Sequence, residues 1–352
     1  YEILRCLVGS EMCIRDRKQS AAHNLAAQHA ALYSTWVTLS AETALNYVSL
    51  RTLQQDLDLL ERHAALEGEK ADLLQTNYQA GLISAYPLEA MRTQEQNTRA
   101  EIPRTRQAIQ ETLTRLSILT GTEPGQLNDF LDPEDLPEID PELYHAIPAN
   151  LMRQRPDIRA AEERLEAQIA RTKEARAELK PRFTLGGFLG LITLGGGNLF
   201  GSGARSFAIA PSFTFPLFHG GQLRQNVKLQ DARAREYQAQ YENTVLKAAG
   251  EVQDAMTGIV QEKERKDKLS AGVDNAQGAF DLAENRFQAG LSDYQPVLDS
   301  ERTLLTMKRQ ENRSRGQELA DLIHLYKALG GGWKPLSDGE QAEISRAEGK
   351  GK

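Results

Sequence analysis

Leu50, Leu53, Leu57 and Leu60 stand in 3-4-3 spacing, and Leu66 and Leu73 follow seven apart. Apolar positions recurring this way line one face of an α-helix, so the pattern predicts a helix with a single buried stripe. Residues 18–79 contain no proline and one glycine, Gly68. A helix through that whole stretch would be on the order of 90 Å long at 1.5 Å per residue. Periodic runs of such length point to coiled-coil packing. Ala80-Gly81-Leu82-Ile83-Ser84 then places glycine where a helix C-cap needs positive φ. Pro87 suits the first turn of a returning helix. That helix runs to about Leu119 with Pro103 inside it, where a kink is expected.

The same plan recurs further along. Tyr78-Gln79-Ala80-Gly81-Leu82 returns as Phe287-Gln288-Ala289-Gly290-Leu291, an offset of 209. Without a gap, that offset carries Pro87 onto Pro296, Leu113 onto Leu322, Leu116 onto Leu325 and Gly121 onto Gly330, and upstream Glu42 onto Glu251. Two long units are too few for a solenoid, so one ancestral unit is read as duplicated within the chain. The second copy predicts a helix from about Gly221 to Phe287, a corner at Ala289–Asp293, and a helix from about Tyr294 to Leu329.

Between the copies the period changes. Arg155-Pro156-Asp157 opens a helix to about Lys180, with Pro156 near its first position, and Pro181 stops it. Phe183, Leu185, Gly187, Leu189 and Leu191 then alternate with Thr184, Gly186, Phe188, Gly190 and Ile192. After the glycine-rich stretch 195–203, Phe207, Ile209, Pro211, Phe213, Phe215 and Leu217 alternate with Ala208, Ala210, Ser212, Thr214 and Pro216. This is the period of β-strands, each about ten residues, the length that spans a bilayer. A hairpin packed in a soluble core is the commoner use of such a pattern. Long polar helices on both sides offer its apolar face no second layer, and a lone hairpin is not independently stable. A closed barrel shared between chains removes the edges and lets the apolar face meet lipid, and this is the reading taken.

The predicted organisation is therefore 18–121 as a first helical hairpin, 122–155 as an acidic linker, 156–180 as a helix, 181–218 as a transmembrane β-hairpin, 219–333 as a second helical hairpin, and 334–352 as a polar tail. The linker carries Pro124, Pro133, Pro137, Pro141 and Pro148. Residues 1–17 hold both cysteines, Cys6 and Cys13, and do not continue the helical pattern that starts near Lys18. They are read as foreign to the protein, with a genuine extension as the alternative. The fold class expected is mainly α with a β-hairpin.

Composition narrows the function. Of the 352 residues 40% are hydrophobic and 26% charged, and the formal net charge of −7 argues against a nucleic-acid partner. No apolar run approaches the roughly 20 residues of a spanning helix. His23, His29, His63, His145, His219 and His324 are scattered without metal-ligand spacing. No HExxH, GxSxG or Walker lysine occurs, and the glycines at 195–203 are read as a surface loop rather than a phosphate cradle. No catalytic residue, cofactor or metal site is predicted.

Several segments resemble a known family: Leu151-Met152-Arg153-Gln154-Arg155-Pro156-Asp157-Ile158-Arg159-Ala160-Ala161-Glu162, Pro181-Arg182-Phe183-Thr184-Leu185, Phe215-Pro216-Leu217-Phe218-His219-Gly220-Gly221, Val297-Leu298-Asp299-Ser300-Glu301-Arg302-Thr303-Leu304-Leu305, and Tyr326-Lys327-Ala328-Leu329-Gly330-Gly331-Gly332-Trp333. Together they resemble outer-membrane factors of the TolC/OprM type, in particular the NodT-type lipoprotein branch of tripartite efflux systems. The resemblance covers about residues 18–333.

It implies a homotrimer in the outer membrane of a Gram-negative bacterium. Its strands would form one shared barrel in outer-membrane lipid, continued by a trimeric α-barrel across the periplasm. It implies a periplasmic adaptor and an inner-membrane pump of the resistance-nodulation-division type as partners. This chain would be a passive, gated conduit for drugs, metals or other small molecules. The adaptor would dock on the corners, at Gly81, Leu82, Ser84, Gly290, Leu291 and Asp293, although Gly81 and Gly290 also serve as plain C-caps. The gate would be Gln295, Asp299 and Arg302. The ordinary alternative for Asp299 and Arg302 is an exposed i,i+3 pair worth about 0.2–0.5 kcal/mol. Phe207, Ile209, Phe213, Phe215 and Leu217 would face the membrane.

The family plan also has a lipoprotein signal, a modified cysteine, a first long helix and a first β-hairpin ahead of Lys18. Their absence here leads to the expectation of an N-terminally truncated record of a functional gene. A periplasmic adaptor would also carry a long helical hairpin, but a single one. A soluble coiled-coil scaffold would leave the 183–217 alternation without purpose.

Overall fold

The computed structural model describes residues 2–129, 134–137, 155–191 and 205–331. In chain order these form α1 (Glu2–Gln79), α2 (Ala85–Thr120), a 3₁₀ turn (Gln126–Asp129), α3 (Pro156–Ala177), β1 (Arg182–Leu191), β2 (Arg205–Thr214), α4 (Gln222–Gln288) and α5 (Gln295–Ala328). The described residues are thus mainly α with one antiparallel hairpin. The glycine-rich stretch 195–203, the tail 334–352 and most of the linker lie outside the described residues. None of the described helices is long and apolar enough to cross a membrane.

The duplication is visible residue by residue in the backbone. α1 ends at Gln79 and α4 at Gln288, the same place in the two copies. Gly81 N–H donates to Tyr78 O at 2.9 Å and Leu82 N–H to Asn77 O at 2.9 Å. Gly290 to Phe287 O and Leu291 to Arg286 O repeat both bonds at 2.9 Å. The far ends agree too: Gly121 closes α2 with φ 72, and Gly330 follows α5 with φ 71.

Two compact units emerge, Tyr1–Ser34 with Arg153–Lys247, and Thr35–Met152 with Ala248–Lys352. In the first, α3 packs the start of α1 and the start of α4 through an alanine stripe, Ala160, Ala167, Ala170, Ala175 and Ala177, all buried. Small side chains let helices approach closely, and polar contacts close the seams. Arg17 Nε donates to Glu174 Oε1 at 2.8 Å and Gln168 Nε2 to Gln230 Oε1 at 2.8 Å. Pro156 fits the first turn, where no N–H is needed.

In the second unit α1 pairs with α2 through Leu50, Leu113 and Leu116, and α4 with α5 through Ala255, Ile259, Leu322, Leu325 and Leu329. A third cluster, Ala71, Leu74, Leu88, Met91, Tyr294, Val297 and Leu298, joins all four beside the corners, with Phe280 and Phe287 packed against it.

Three expectations are corrected. α1 begins at Glu2 rather than near Lys18. Periodicity decides which face is buried, whereas the backbone is helical wherever nothing breaks it, and residues 2–17 hold no proline and one glycine. The buried stripe of α1 is Leu60, Ala64, Glu67, Ala71 and Leu74, while Leu66 and Leu73 are 49% and 62% exposed. Leu50 and Leu60 are buried as their spacing predicts, and beyond Leu60 the seam passes to Ala64, Glu67 and Ala71, which Leu66 and Leu73 do not share. β2 ends at Thr214, which leaves Phe215 and Leu217 beyond the ladder.

Candidate functional site

Both corners are built by the same local chemistry. Each long helix ends in a glycine with left-handed backbone, Gly81 at φ 71 and Gly290 at φ 68. Beyond the adjoining residues, no atom lies within 4 Å of a Cβ added at either, so conformation alone demands glycine there. The next residue, Leu82 or Leu291, is 73% or 71% exposed, two apolar side chains presented to solvent at equivalent positions. Ser84 and Asp293, again equivalent, are exposed as well. The six corner residues therefore form one duplicated surface.

The start of α5 carries the other candidates. Gln295, Asp299 and Arg302 are all exposed and share one side of the helix. Gln295 Nε2 donates to Asp299 Oδ1 at 3.1 Å. Tyr86 Oη donates to Gln295 Oε1 at 2.7 Å, and the two residues lie 209 apart, so positions equivalent by duplication touch. Arg302 takes no side-chain partner among the described residues, Asp299 included, so the simple ion pair is not formed. Behind this exposed row, Tyr294 packs edge-on against Phe287 with ring centroids 4.7 Å apart. Burial pushes the Tyr294 hydroxyl well above the usual phenol range, and the negative charge of Glu301 adds to it.

In the other unit, the β ladder pairs Phe183 with Phe213, Leu185 with Pro211, Gly187 with Ile209 and Leu189 with Phe207. The apolar parity of both strands therefore falls on one face. Leu185, Ile209 and Phe213 are 75%, 65% and 56% exposed there, and Phe183 stacks against Phe213 at 4.7 Å. On the opposite face Thr184 and Ser212 share a hydrogen bond. Phe215 and Leu217 are exposed beyond the end of β2, and the side chain of Phe207 lies outside the described residues.

Tyr86 and Leu185 were not singled out from sequence. Leu185 was readable, since it shares the parity of Phe183, whereas the contact of Tyr86 depends on how α2 meets α5. Among the described residues no group of His, Cys, Asp or Glu is placed to hold a metal. The arrangement offers exposed apolar surfaces and an exposed polar row.

Known proteins share this architecture. The sequence profile of the family described as "Outer membrane efflux protein" matches residues 147–331. The toluene efflux pump outer membrane protein TtgF of Pseudomonas putida is 30% identical over 327 residues, covering 92% of this chain and 67% of TtgF. Outer membrane protein OprJ of Pseudomonas aeruginosa is 28% identical over 320 residues, covering 91% of this chain and 67% of its own. Among solved structures, the outer-membrane channel OprN superposes with a TM-score of 0.88 at 30% identity, covering 92% of this chain and 73% of OprN. VceC from Vibrio cholerae superposes with a TM-score of 0.85 at 28% identity, covering 91% of this chain and 76% of VceC.

Proposed function

We propose that this chain, which belongs to the outer membrane efflux protein family, works as one of three identical subunits around a shared pore and is gated at the start of α5. As a member of that family it is the outer-membrane channel subunit of an efflux pump. The trimer is the finer reading. It is supported by apolar side chains that the single chain leaves uncovered on its long helices, Leu66 and Leu73 on α1 and Met256, Val260 and Leu282 on α4. Such residues want a neighbouring helix, and lateral contacts around a ring of copies supply one. For the hairpin, an exposed apolar face backed by a polar one is what a barrel strand needs, lipid outside and water inside.

The partners follow from the corners. Leu82 and Leu291 at equivalent exposed positions fit docking by a periplasmic adaptor, which would connect the channel to an inner-membrane pump of the resistance-nodulation-division type. In this reading the chain is a passive conduit and the pump supplies the energy of transport. Relatives are named for toluene and for pyoverdine export, and a conduit that leaves selection to the pump suits that variety.

The observation that carries the gate is the exposed row Gln295, Asp299 and Arg302 on the helix that also receives the Tyr86 hydrogen bond. Replacing Asp299 and Arg302 together by alanine should raise single-channel conductance in planar bilayers severalfold. Unchanged conductance in a well-folded protein would remove these residues from the gate.

A further inference from the structure

Beneath the candidate gate lies a group of buried ionisable side chains. α1 presents His63, Glu67 and Lys70 along one stripe. Lys70 Nζ pairs with Glu301 Oε1 of α5 at 2.7 Å and sits 4.5 Å from the ring centroid of Phe280 on α4. Glu67 is 0% exposed and Glu301 3%. From α2, Gln94 Nε2 donates to Glu67 Oε1 at 3.2 Å. Yet Glu67 Oε2 and Glu301 Oε2 are both buried without a hydrogen-bond partner. Lys70 pairs with Glu301 and leaves Glu67 without a cation of its own, and each carboxyl group keeps one buried oxygen without a hydrogen-bond partner. An ionised carboxylate with no cation of its own is costly there, and the least costly remedy is a proton.

We propose that Glu67, Glu301 and Lys70 form a proton-binding lock that fastens the start of α5 to α1 and α2, closed while Glu67 carries a proton and loosened once Glu67 ionises. Its consequence for conductance rests on the gate reading above, whereas the proton site does not. Glu301 stands between Asp299 and Arg302 in sequence, on the buried side of the same turn, so whatever holds Glu301 holds the exposed row.

The charges around Glu67 agree on direction. Burial raises its carboxyl above the ordinary glutamate range, hydrogen bonds from Thr98 and Gln94 on α2 pull it down, and the negative charges of Glu301 and Glu95 push it up again. Glu95 is paired with Arg99 at 2.7 Å. α4 contributes Glu284, which acts on Tyr294 together with Glu301 and Glu67. α5 adds Lys308, which with Lys70 acts on His63, itself driven down to about 4 chiefly by burial. For Glu67 the folded state prefers the protonated form. The stability it confers is whole below its unfolded value and is lost as pH rises through the folded value. His63 acts the other way: it costs stability as pH falls from 6.5 towards 4.

The test reads the proton directly. Infrared spectra of the detergent-purified protein, with and without ¹³C-glutamate labelling, should show at mildly acidic pH a protonated carboxyl C=O band. The band should shift with the label, fade as pH rises, and be missing from Glu67→Gln. In Glu301→Gln, Lys70 turns to Glu67 as its remaining carboxylate, and the band should vanish at the same mildly acidic pH. Hydrogen exchange across residues 295–305, corrected for intrinsic rate, should report an open fraction rising about tenfold per pH unit between the ordinary and the raised glutamate values. It should be flat in Glu67→Gln.

No labelled band in the wild type, or a band that persists in Glu67→Gln, overturns the proposal. Absence of a labelled band in the wild type overturns it even if a variant fails to fold. If band and exchange behave as expected while conductance ignores pH, the lock stands and the gate assignment falls.

Discussion

α2 and α5 occupy equivalent places in the two copies of the duplicated unit, begin after matching glycine corners and end at matching glycines. What they bury differs. α2 buries Leu88, Met91, Leu113 and Leu116 with Thr98, Thr105, Thr112 and Ser117. Of its buried threonines, Thr105 and Thr112 turn inward to their own helix, donating to Glu101 O and Ala108 O. α5 buries Glu301, Asn312, Ser314, Gly316 and Glu318, and these reach other helices. Glu301 meets Lys70 on α1, Glu318 meets Lys266 on α4 at 2.6 Å, Ser314 meets Glu262 at 2.6 Å, and Asn312 Nδ2 donates to Thr52 O at 2.9 Å. Where α2 has Pro103 and runs on through it, α5 has Asn312 and a tie to α1. Duplication kept the local backbone chemistry. Divergence made one helix a cross-braced strut, and that is the helix with the candidate gate.

The strongest way to break this comparison is to cut the brace. Asp56 on α1, 2% exposed, receives Arg309 Nε and Nη2 at 2.8 and 2.9 Å and Arg313 Nη2 at 3.2 Å. Asp56→Ala leaves the half-buried Arg309 with only its long contact to Glu101 at 3.8 Å and should cost about 3–5 kcal/mol in denaturant unfolding. The α1–α2 pair Glu61–Arg106, exposed on both sides, should cost less than about 1 kcal/mol when Glu61 becomes alanine. Equal losses would dissolve the distinction between strut and partner.

A pH titration of stability comes next. His63 has an ordinary value of 6.5 and is driven to about 4 in the fold, so roughly 3 kcal/mol should be lost as pH falls between those values. His63→Leu should flatten that window. The equivalent position in α4 is Gly272 and contributes no titration.

Close approach supplies a third test. A Cβ on Gly316 would collide with the Thr52 side chain, so Gly316→Ala should cost about 1–3 kcal/mol by forcing α5 away from α1. Its counterpart in α2 is the exposed Gln107, where Gln107→Ala should stay within about 0.5 kcal/mol.

The smallest effect sharpens the shared half of the comparison. Gly81→Ala and Gly290→Ala should each cost about 1–2 kcal/mol for a left-handed residue with a Cβ, and the two losses should match. A marked difference would mean that the corners are not held by the same local forces.

Much of this was legible in the chain. The offset of 209, the glycine corners, the helix ends and the alternating hairpin all follow from local rules, because a cap, a turn or a strand parity is decided by a few neighbouring residues. Boundaries drifted where continuity needs no signal: α1 extends back to Glu2, and β2 stops at Thr214 short of Phe215. Along α1 the spacing placed Leu50 and Leu60 correctly in the buried stripe but not Leu66 and Leu73, since hydrophobicity alone does not tell a seam within the chain from a face left for a neighbour. Of the candidate site, the exposure of Leu82, Leu291, Ile209 and Phe213 could be anticipated, whereas the bond from Tyr86 to Gln295 could not.

The sequence by itself determined the two-copy plan, the element types and the glycines that end the helices. Each rests on interactions spanning a few residues, whose free energies depend on residue type and spacing alone. Only the tertiary structure decided which charges are buried together. Asp56 with Arg309, Lys70 with Glu301, and Glu67 with its unpartnered oxygen are separated by more than two hundred residues or by a helix turn from what they face. Nothing in residue type distinguishes them from the solvated charges beside them. Burial raises the cost and the strength of a charge together, and burial belongs to the packing of four helices rather than to any one of them.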